Sequence, residues 1–272
     1  MKFCKKENKI DVKDYITGNK FIKLCDKYNI TFCKTDNVLS GLLELKSRTD
    51  NPKIFVTHQS DYSIIDAYTE YLPKGVTWFA ENCEVVDNSN IIGIPNGLNN
   101  MEMVISQASK FGAYSSCFSH LADFHNNLNM QWNNLRDYKN LVYMNFTPDT
   151  SFSERTYVYK MFQDKKFVTK ENSVSHNKFA ESVYNHNFVL SPRGNGYDCV
   201  RTWETIYLGS IPIIKKNNVM SHFLELPILF VDEWEQVTES LLLKTLEEFS
   251  CRDFDMSKAK ISYWDSVFAK YV

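Results

Sequence analysis

Residues 188–214 read FVLSPRGNGYDCVRTWETIYLGSIPII, and this stretch decides the fold. Phe188, Val189 and Leu190 make a short apolar run that stops at Ser191-Pro192, the pattern of a buried parallel strand entering a loop. The loop from Ser191 to Asp198 carries Pro192, Arg193, Gly194, Asn195 and Gly196. Its two glycines predict a tight turn and a close approach of backbone to a ligand. Tyr197 or Asp198 is expected to open a helix running to about Leu208, because Val200, Trp203, Ile206 and Tyr207 recur at helical spacing. Gly209 then stops the helix, and residues 211–214 form the next strand.

A strand, a glycine loop, a helix and a second strand make one βαβ unit. Its loop and helix N-terminus lie at the carboxyl end of the sheet, where free N–H groups and the helix dipole favour an anion. Arg193 stands in that loop. Arg201 and Glu204 are three residues apart and share a helix face. A guanidinium forks onto a phosphate, and a carboxylate one turn along accepts from the hydroxyls of a ribose, which together suit a nucleoside diphosphate. Taken alone, an Arg-x-x-Glu pair is a surface ion pair worth about 0.3–0.5 kcal/mol. The glycine pair alone is weak as well, since position 199, where a dinucleotide fingerprint has its third glycine, is Cys. The weight rests on the combination.

The segment Ser191-Pro-Arg-Gly-Asn-Gly, Arg201-Thr-Trp-Glu204 and Leu208-Gly-Ser-Ile-Pro212 resembles the donor-binding motif of exostosin-like glycosyltransferases. The resemblance is dense over roughly 140–235, looser over 52–100 and poor at the N-terminus; a small viral, xylosyltransferase-like member is its narrowest form. It implies an α/β, GT-B-like fold with two Rossmann-like domains facing each other across a cleft. Residues 1–138 would be the acceptor-side domain and 139–255 the nucleotide-sugar domain, with 256–272 a helix crossing back to the first. The implied activity is inverting transfer of a sugar from a nucleoside diphosphate donor, UDP-sugar favoured and UDP-xylose the narrow case, to a glycan or glycoprotein acceptor. No cofactor or metal is implied beyond the donor itself. The alternative is a non-catalytic carbohydrate- or nucleotide-binding module of the same fold. A dinucleotide-dependent oxidoreductase is disfavoured by the missing third glycine and by the late position of the glycine loop.

The chain has 272 residues, 43% hydrophobic and 14% aromatic, enough for one large or two small cores. It balances 31 basic against 33 acidic residues, which speaks against a nucleic-acid partner. Seven cysteines stand at 4, 25, 33, 83, 117, 199 and 251 with no CxxC pair, so free thiols in a reducing, cytoplasmic setting are expected, the host cytoplasm for a viral protein. The opening MKFCKKENKI lacks an apolar core, and no run reaches the ~18–20 apolar residues of a membrane span.

In the first half, residues 21–25 fit a strand or a short helix, and 38–46 a helix. A strand at 53–57 would place His58 and Asp61 on the carboxyl edge of a sheet, the ligand side. A helix is expected to begin over 64–68, with Ser60, Asp61 or Ser63 as its cap. Strands at 78–80 and 91–94 end in Glu81-Asn82 and Asn96. For the base that takes the acceptor proton, Asp61 comes first, His58 second and Glu81 third. Tyr62, Trp78 and Phe79 are aromatic candidates for stacking on a sugar. Residues 101–111 suggest a helix and 133–140 a crossing between domains. His120 and His125, five apart, are poorly spaced for shared metal ligation.

In the second half, a strand at 141–146 precedes a helix through Phe162, with Ser153 as its expected cap. Arg155 near that helix start opposes the dipole, a pointer to a phosphate, and the resemblance implies a pyrophosphate contact there. After a strand at 167–169, the backbone from Thr169 to Glu171 is placed to bond a nucleobase. Helices are expected at 175–184, 221–224, 234–249 and 256–271, and a strand at 227–231. Asp253-Phe-Asp255 matches the Asp-x-Asp of metal-dependent transferases, but Asp255 reads as a helix cap, and no metal ligand is assigned.

Overall fold

Two separate parallel sheets organise the chain. The computed structural model describes residues 10–100 and 140–271. In the first unit, α1 (Gly18–Tyr28) leads to β1 (Thr31–Lys34), α2 (Val38–Ser47), β2 (Ile54–His58), β3 (Thr77–Ala80) and β4 (Ile91–Gly93), and the strands pair in the order β1-β2-β3-β4. The second unit runs through β5 (Val142–Met144), α3 (Phe152–Phe162), β6 (Val168–Lys170), α4 (His176–Tyr184) and β7 (Phe188–Leu190). It continues with α5 (Val200–Tyr207), β8 (Ile211–Lys215), α6 (Asn218–Ser221) and β9 (Leu229–Val231), and its sheet order is β6-β5-β7-β8-β9. Helices α7 (Glu239–Cys251) and α8 (Ile261–Phe268) follow. The architecture is α/β, consistent with two Rossmann-like units.

Parallel strands covered on both faces need apolar side chains throughout, and β2, β5 and β7 are buried at every residue. Helix α5 ends where the sequence puts its stop. Gly209 has φ +70°, which lets the Ser210 N–H reach Thr205 O and the Gly209 N–H reach Ile206 O, both at 2.9 Å.

Several local expectations are corrected. Of the two alternatives for residues 21–25 the structure takes the helix, within α1, which Thr17 caps by accepting the Lys20 N–H. Ile64 opens no helix; it bridges to Cys83, and a 3-10 turn over Asp66–Tyr71 follows. Helix α3 starts before Ser153, after Ser151 in the left-handed region at φ 47°. The segment at 234–249 divides into a 3-10 turn, Trp234–Gln236, and α7, whose cap Thr238 accepts the Leu241 N–H. The last segment divides likewise into Ser257–Ala259 and α8. The expected helix at 101–111, His120, His125, Cys4, Cys117 and almost all of the 133–140 crossing lie outside the described residues.

The cores do not follow chain order. Trp264 and Phe268 of α8 pack with Phe21, Ile54, Val56 and Phe79 of the first unit. Phe79 and Phe268 lie 4.9 Å apart, and Lys27 pairs with Asp265 at 2.8 Å. Conversely, Ile10 and Tyr15 join the core of the second unit. Tyr15 stacks on Tyr207 at 4.1 Å, and the Tyr207 hydroxyl accepts the Ile16 N–H while donating to Ala259 O. Among the described residues no helix is long and apolar enough to cross a membrane.

Candidate functional site

The order β6-β5-β7-β8-β9 reverses direction between β5 and β7. The loops leaving those two strands part there and open a crevice at the carboxyl edge, the place where open α/β sheets bind ligands. The loop after β5 carries Asn145, Phe146 and Thr147; the loop after β7 is the Pro-Arg-Gly loop. Two arginine side chains meet at this point, and the backbone of a third, Arg193, adjoins them. Arg201 donates from Nε to Asn145 O at 3.1 Å. Arg155 is buried and donates to Arg193 O at 2.8 Å and to Thr147 O at 3.1 Å, so it ties the two loops together. Both guanidiniums lie over the Phe146 ring, at 6.0 Å for Arg155 and 5.6 Å for Arg201.

Among the described residues no carboxylate lies within ion-pair distance of Arg155, Arg193 or Arg201. Burial, and then the charge of Arg201, pulls the Arg155 guanidinium down to about 10, which leaves it charged at neutral pH. Like charges crowded without a counter-ion are costly unless an anion neutralises them. Arg193 lies against its own loop. It stacks on Tyr197 at 3.9 Å and donates to Gly194 O and Asn195 O.

The loop glycines serve close packing rather than a left-handed turn, since neither Gly194 nor Gly196 has a positive φ. A Cβ on Gly194 would stand 3.3 Å from Arg155 Nη2, and one on Gly196 would stand 2.9 Å from Asn82 Nδ2 of the first unit. Helix α5 begins at Val200, later than expected, because Asp198 is occupied elsewhere. Its carboxylate accepts the Asn96 N–H at 2.8 Å and the Trp203 indole N–H at 2.6 Å, while its own N–H donates to Asn82 Oδ1 at 3.0 Å. Asp198 is thus a link between the two units. Burial pushes its carboxyl up to about 7 against the lowering effect of both hydrogen bonds.

Glu204 is buried on α5, one turn beyond Arg201. Thr169 sits in β6, the edge strand, half-exposed. The Glu171 N–H is spent on Met144 O, its carboxylate accepts from Tyr143 and Ser182, and the parallel register turns the Thr169 backbone toward β5, which leaves the Lys170 backbone facing outward on this edge.

Across from the glycine loop, the ends of β2, β3 and β4 line a cavity of about 590 Å³ that Asn195 and Val200 close from the second unit. The three base candidates line it in different states. Asp61 is exposed, and its Oδ2 accepts from Asn195 Nδ2 at 3.2 Å. His58 and Glu81 are only 1% and 2% exposed and face each other, Nδ1 to Oε2, at 3.1 Å. With His58 Nδ1 accepting the Gln59 N–H at 2.8 Å, Nε2–H donates to Pro95 O at 3.0 Å. Burial lowers the imidazole to about 4, so the ring is neutral and both nitrogens are engaged. The Glu81 carboxyl is raised, first by burial and then by the charge of Asp198, while Oε2 accepts the Ser60 N–H at 3.3 Å. His58 and Glu81 therefore lie beneath the floor, and Asp61 is the candidate that reaches open space. Tyr62 is 67% exposed at the same rim, whereas Trp78 and Phe79 are wholly buried and cannot stack on a ligand. Asp255 accepts the Ser257 N–H at 2.9 Å.

Three residues that matter here escaped the sequence. Phe146 and Tyr197 carry the arginines on their rings, and nothing in their spacing distinguishes them from core aromatics. Asn82 was noted only as polar. Its signal was its type, because Asn after a strand is among the residues that most readily turn left-handed.

The switch point of this parallel α/β unit presents Arg155 and Arg201, with Arg193 in the adjoining loop, and among the described residues no carboxylate within ion-pair distance of them, an arrangement suited to a phosphorylated ligand. Residues 144–272 match the family model of the RXYLT1 C-terminal domain, which belongs to an exostosin-like xylosyltransferase family. The match supports a glycosyltransferase-family relationship. It takes in Arg155, the glycine loop, Arg201 and Glu204; His58, Asp61 and Glu81 lie outside it. No curated protein matches the chain.

Proposed function

We propose that this protein is an inverting glycosyltransferase that moves a sugar from a nucleoside diphosphate to a glycan hydroxyl, with UDP-sugars, UDP-xylose first, as the favoured donors. One observation carries it: Arg155 and Arg201 meet over Phe146 at the β5–β7 switch point, with no carboxylate within ion-pair distance among the described residues and with Arg193 in the loop beside them. A diphosphate placed there puts its growing negative charge on groups already oriented to receive it.

The two units form the walls of a GT-B-like cleft. Glu204 takes the ribose hydroxyls and the β6 edge near Thr169 takes the base. The acceptor occupies the cavity of the first unit, and Asp61 removes its hydroxyl proton. The acceptor oxygen then bonds to the anomeric carbon as the bond to the diphosphate breaks, and the electron pair leaves on the phosphate oxygen. Asp61 touches Asn195 of the donor loop, which suits a base that must work beside the leaving group. Divalent metal is not required, because the arginines supply the charge.

The test is a thermal-shift and calorimetric screen with UDP, GDP and their sugars, each with and without Mg²⁺ or Mn²⁺. A ligand that binds only the folded state raises the melting point with its affinity. A shift with one diphosphate, alike with and without metal, is the expected result. A shift only with metal would overturn the metal-independent reading. A shift with free glycans but with no nucleotide would replace the enzyme by a binding module.

A further inference from the structure

Asn82 follows β3 in the left-handed region at φ 48°, a conformation that only Gly adopts without cost. It is the residue on which two loops meet. Its Nδ2 donates to Ser60 O at 3.1 Å, in the loop that bears Asp61. Its Oδ1 accepts the Asp198 N–H at 3.0 Å, in the loop that bears Arg193. Gly196 leaves room for it, since any Cβ there would press on both terminal atoms of its amide. The amide thus satisfies one backbone acceptor of the first unit and one backbone donor of the second, and no other side-chain type of that size offers both groups.

We propose that Asn82 is a positioning residue that holds the Asp61 loop and the Pro-Arg-Gly loop at fixed separation across the cavity. The role rests on the glycosyl-transfer reading of the site. It touches neither donor nor acceptor; it sets the distance between the groups that do. Left-handed backbone at this position is the local strain through which the side chain is aimed at both loops.

Asn82→Gly is the variant of choice, because glycine keeps the backbone conformation and removes both hydrogen bonds. The expected result is a fall in kcat of about a hundredfold, the scale of a ~1 Å misplacement, with the Kd for the nucleoside diphosphate unchanged. Hydrogen exchange followed by mass spectrometry should show faster exchange in peptides covering 58–63 and 194–199 together, with β8 unaffected. Gly196→Ala should mimic the loss of kcat in the wild-type background and do less harm in Asn82→Gly, where the obstructing amide is gone.

Unchanged kcat and exchange would overturn the proposal. So would loss of nucleotide affinity in step with kcat, which would make Asn82 part of the donor site, or faster exchange everywhere, which would make it merely structural. If the wild-type protein binds no nucleotide, the enzymatic reading falls, and the exchange arm alone decides whether Asn82 joins the two loops.

Discussion

Asp198 Oδ2 accepts the Asn96 backbone N–H at 2.8 Å, joining the glycine loop of the second unit to the end of β4 in the first. The carboxyl is wholly buried and pushed up to about 7. An acid raised on folding holds its proton in the native state where the unfolded chain has lost it. Its contribution is therefore full below the unfolded pKa and is lost as pH rises through the folded one. Glu81, raised by burial, acts in the same direction. These two acids should lower the melting temperature from about pH 4 to about pH 7, opposed below about pH 6.5 by His58, which burial lowers to about 4, and Asp198→Asn should remove the Asp198 share of the fall. The variant should also lower the melting point at acid pH, since an amide presents N–H to one of the two donors now satisfied. A slope left intact in thermal scans of the variant would remove Asp198 as its source.

Arg155→Lys tests the arginine cluster. The guanidinium reaches Arg193 O and Thr147 O at once, which an ammonium cannot do while also facing a phosphate. Affinity for the nucleoside diphosphate should fall by about 10–100-fold, the value of one charged hydrogen bond. Arg201→Ala should cost a similar factor. Calorimetry on folded protein checks both, and equal affinity in either variant would take that residue out of the site.

Asp61→Asn keeps a partner for Asn195 and removes the carboxylate proposed as the base. Transfer should drop by at least about a hundredfold while donor binding holds. Turnover near the wild-type rate would pass the role to Glu81, whose raised carboxyl lies one layer deeper.

The strand-loop-helix core of the second unit was legible because each step has a local cause. The apolar run of β7 breaks at Pro192, and the stop at Gly209 needs the positive φ that it has. The strand ends bearing His58, Glu81 and Asn96 were legible for the same reason. What the sequence left out is how far those groups lie from solvent. Polar residues at a strand end read as ligand contacts, yet His58 and Glu81 are sealed beneath the cavity by Pro95 and the Gln59–Ser60 backbone. Asp198 read as the end of the glycine loop or the opening of the helix, whereas its partner Asn96 is remote in sequence and close only after folding. The exchange of Tyr15 and Trp264 between the two cores is non-local in the same sense.

Trp264→Ala should destabilise the first unit by about 3–5 kcal/mol, the range for deleting a buried large aromatic. Urea unfolding should show the loss, and nucleotide binding by the surviving folded protein should be untouched. A cost below about 1 kcal/mol would mean that α8 is dispensable to the first core.

The return of α8 to the first sheet also orders events during synthesis. Domains ordinarily fold in turn as the ribosome delivers them, N-terminal first. Here the sheet made first waits for Trp264 and Phe268, the side chains that seal one of its faces, until the whole second sheet has been delivered. The second unit completes its sheet before that seal arrives, so the earlier of the two units closes after the later one, and a nascent chain halted at β9 carries an unsealed apolar face for chaperones to guard.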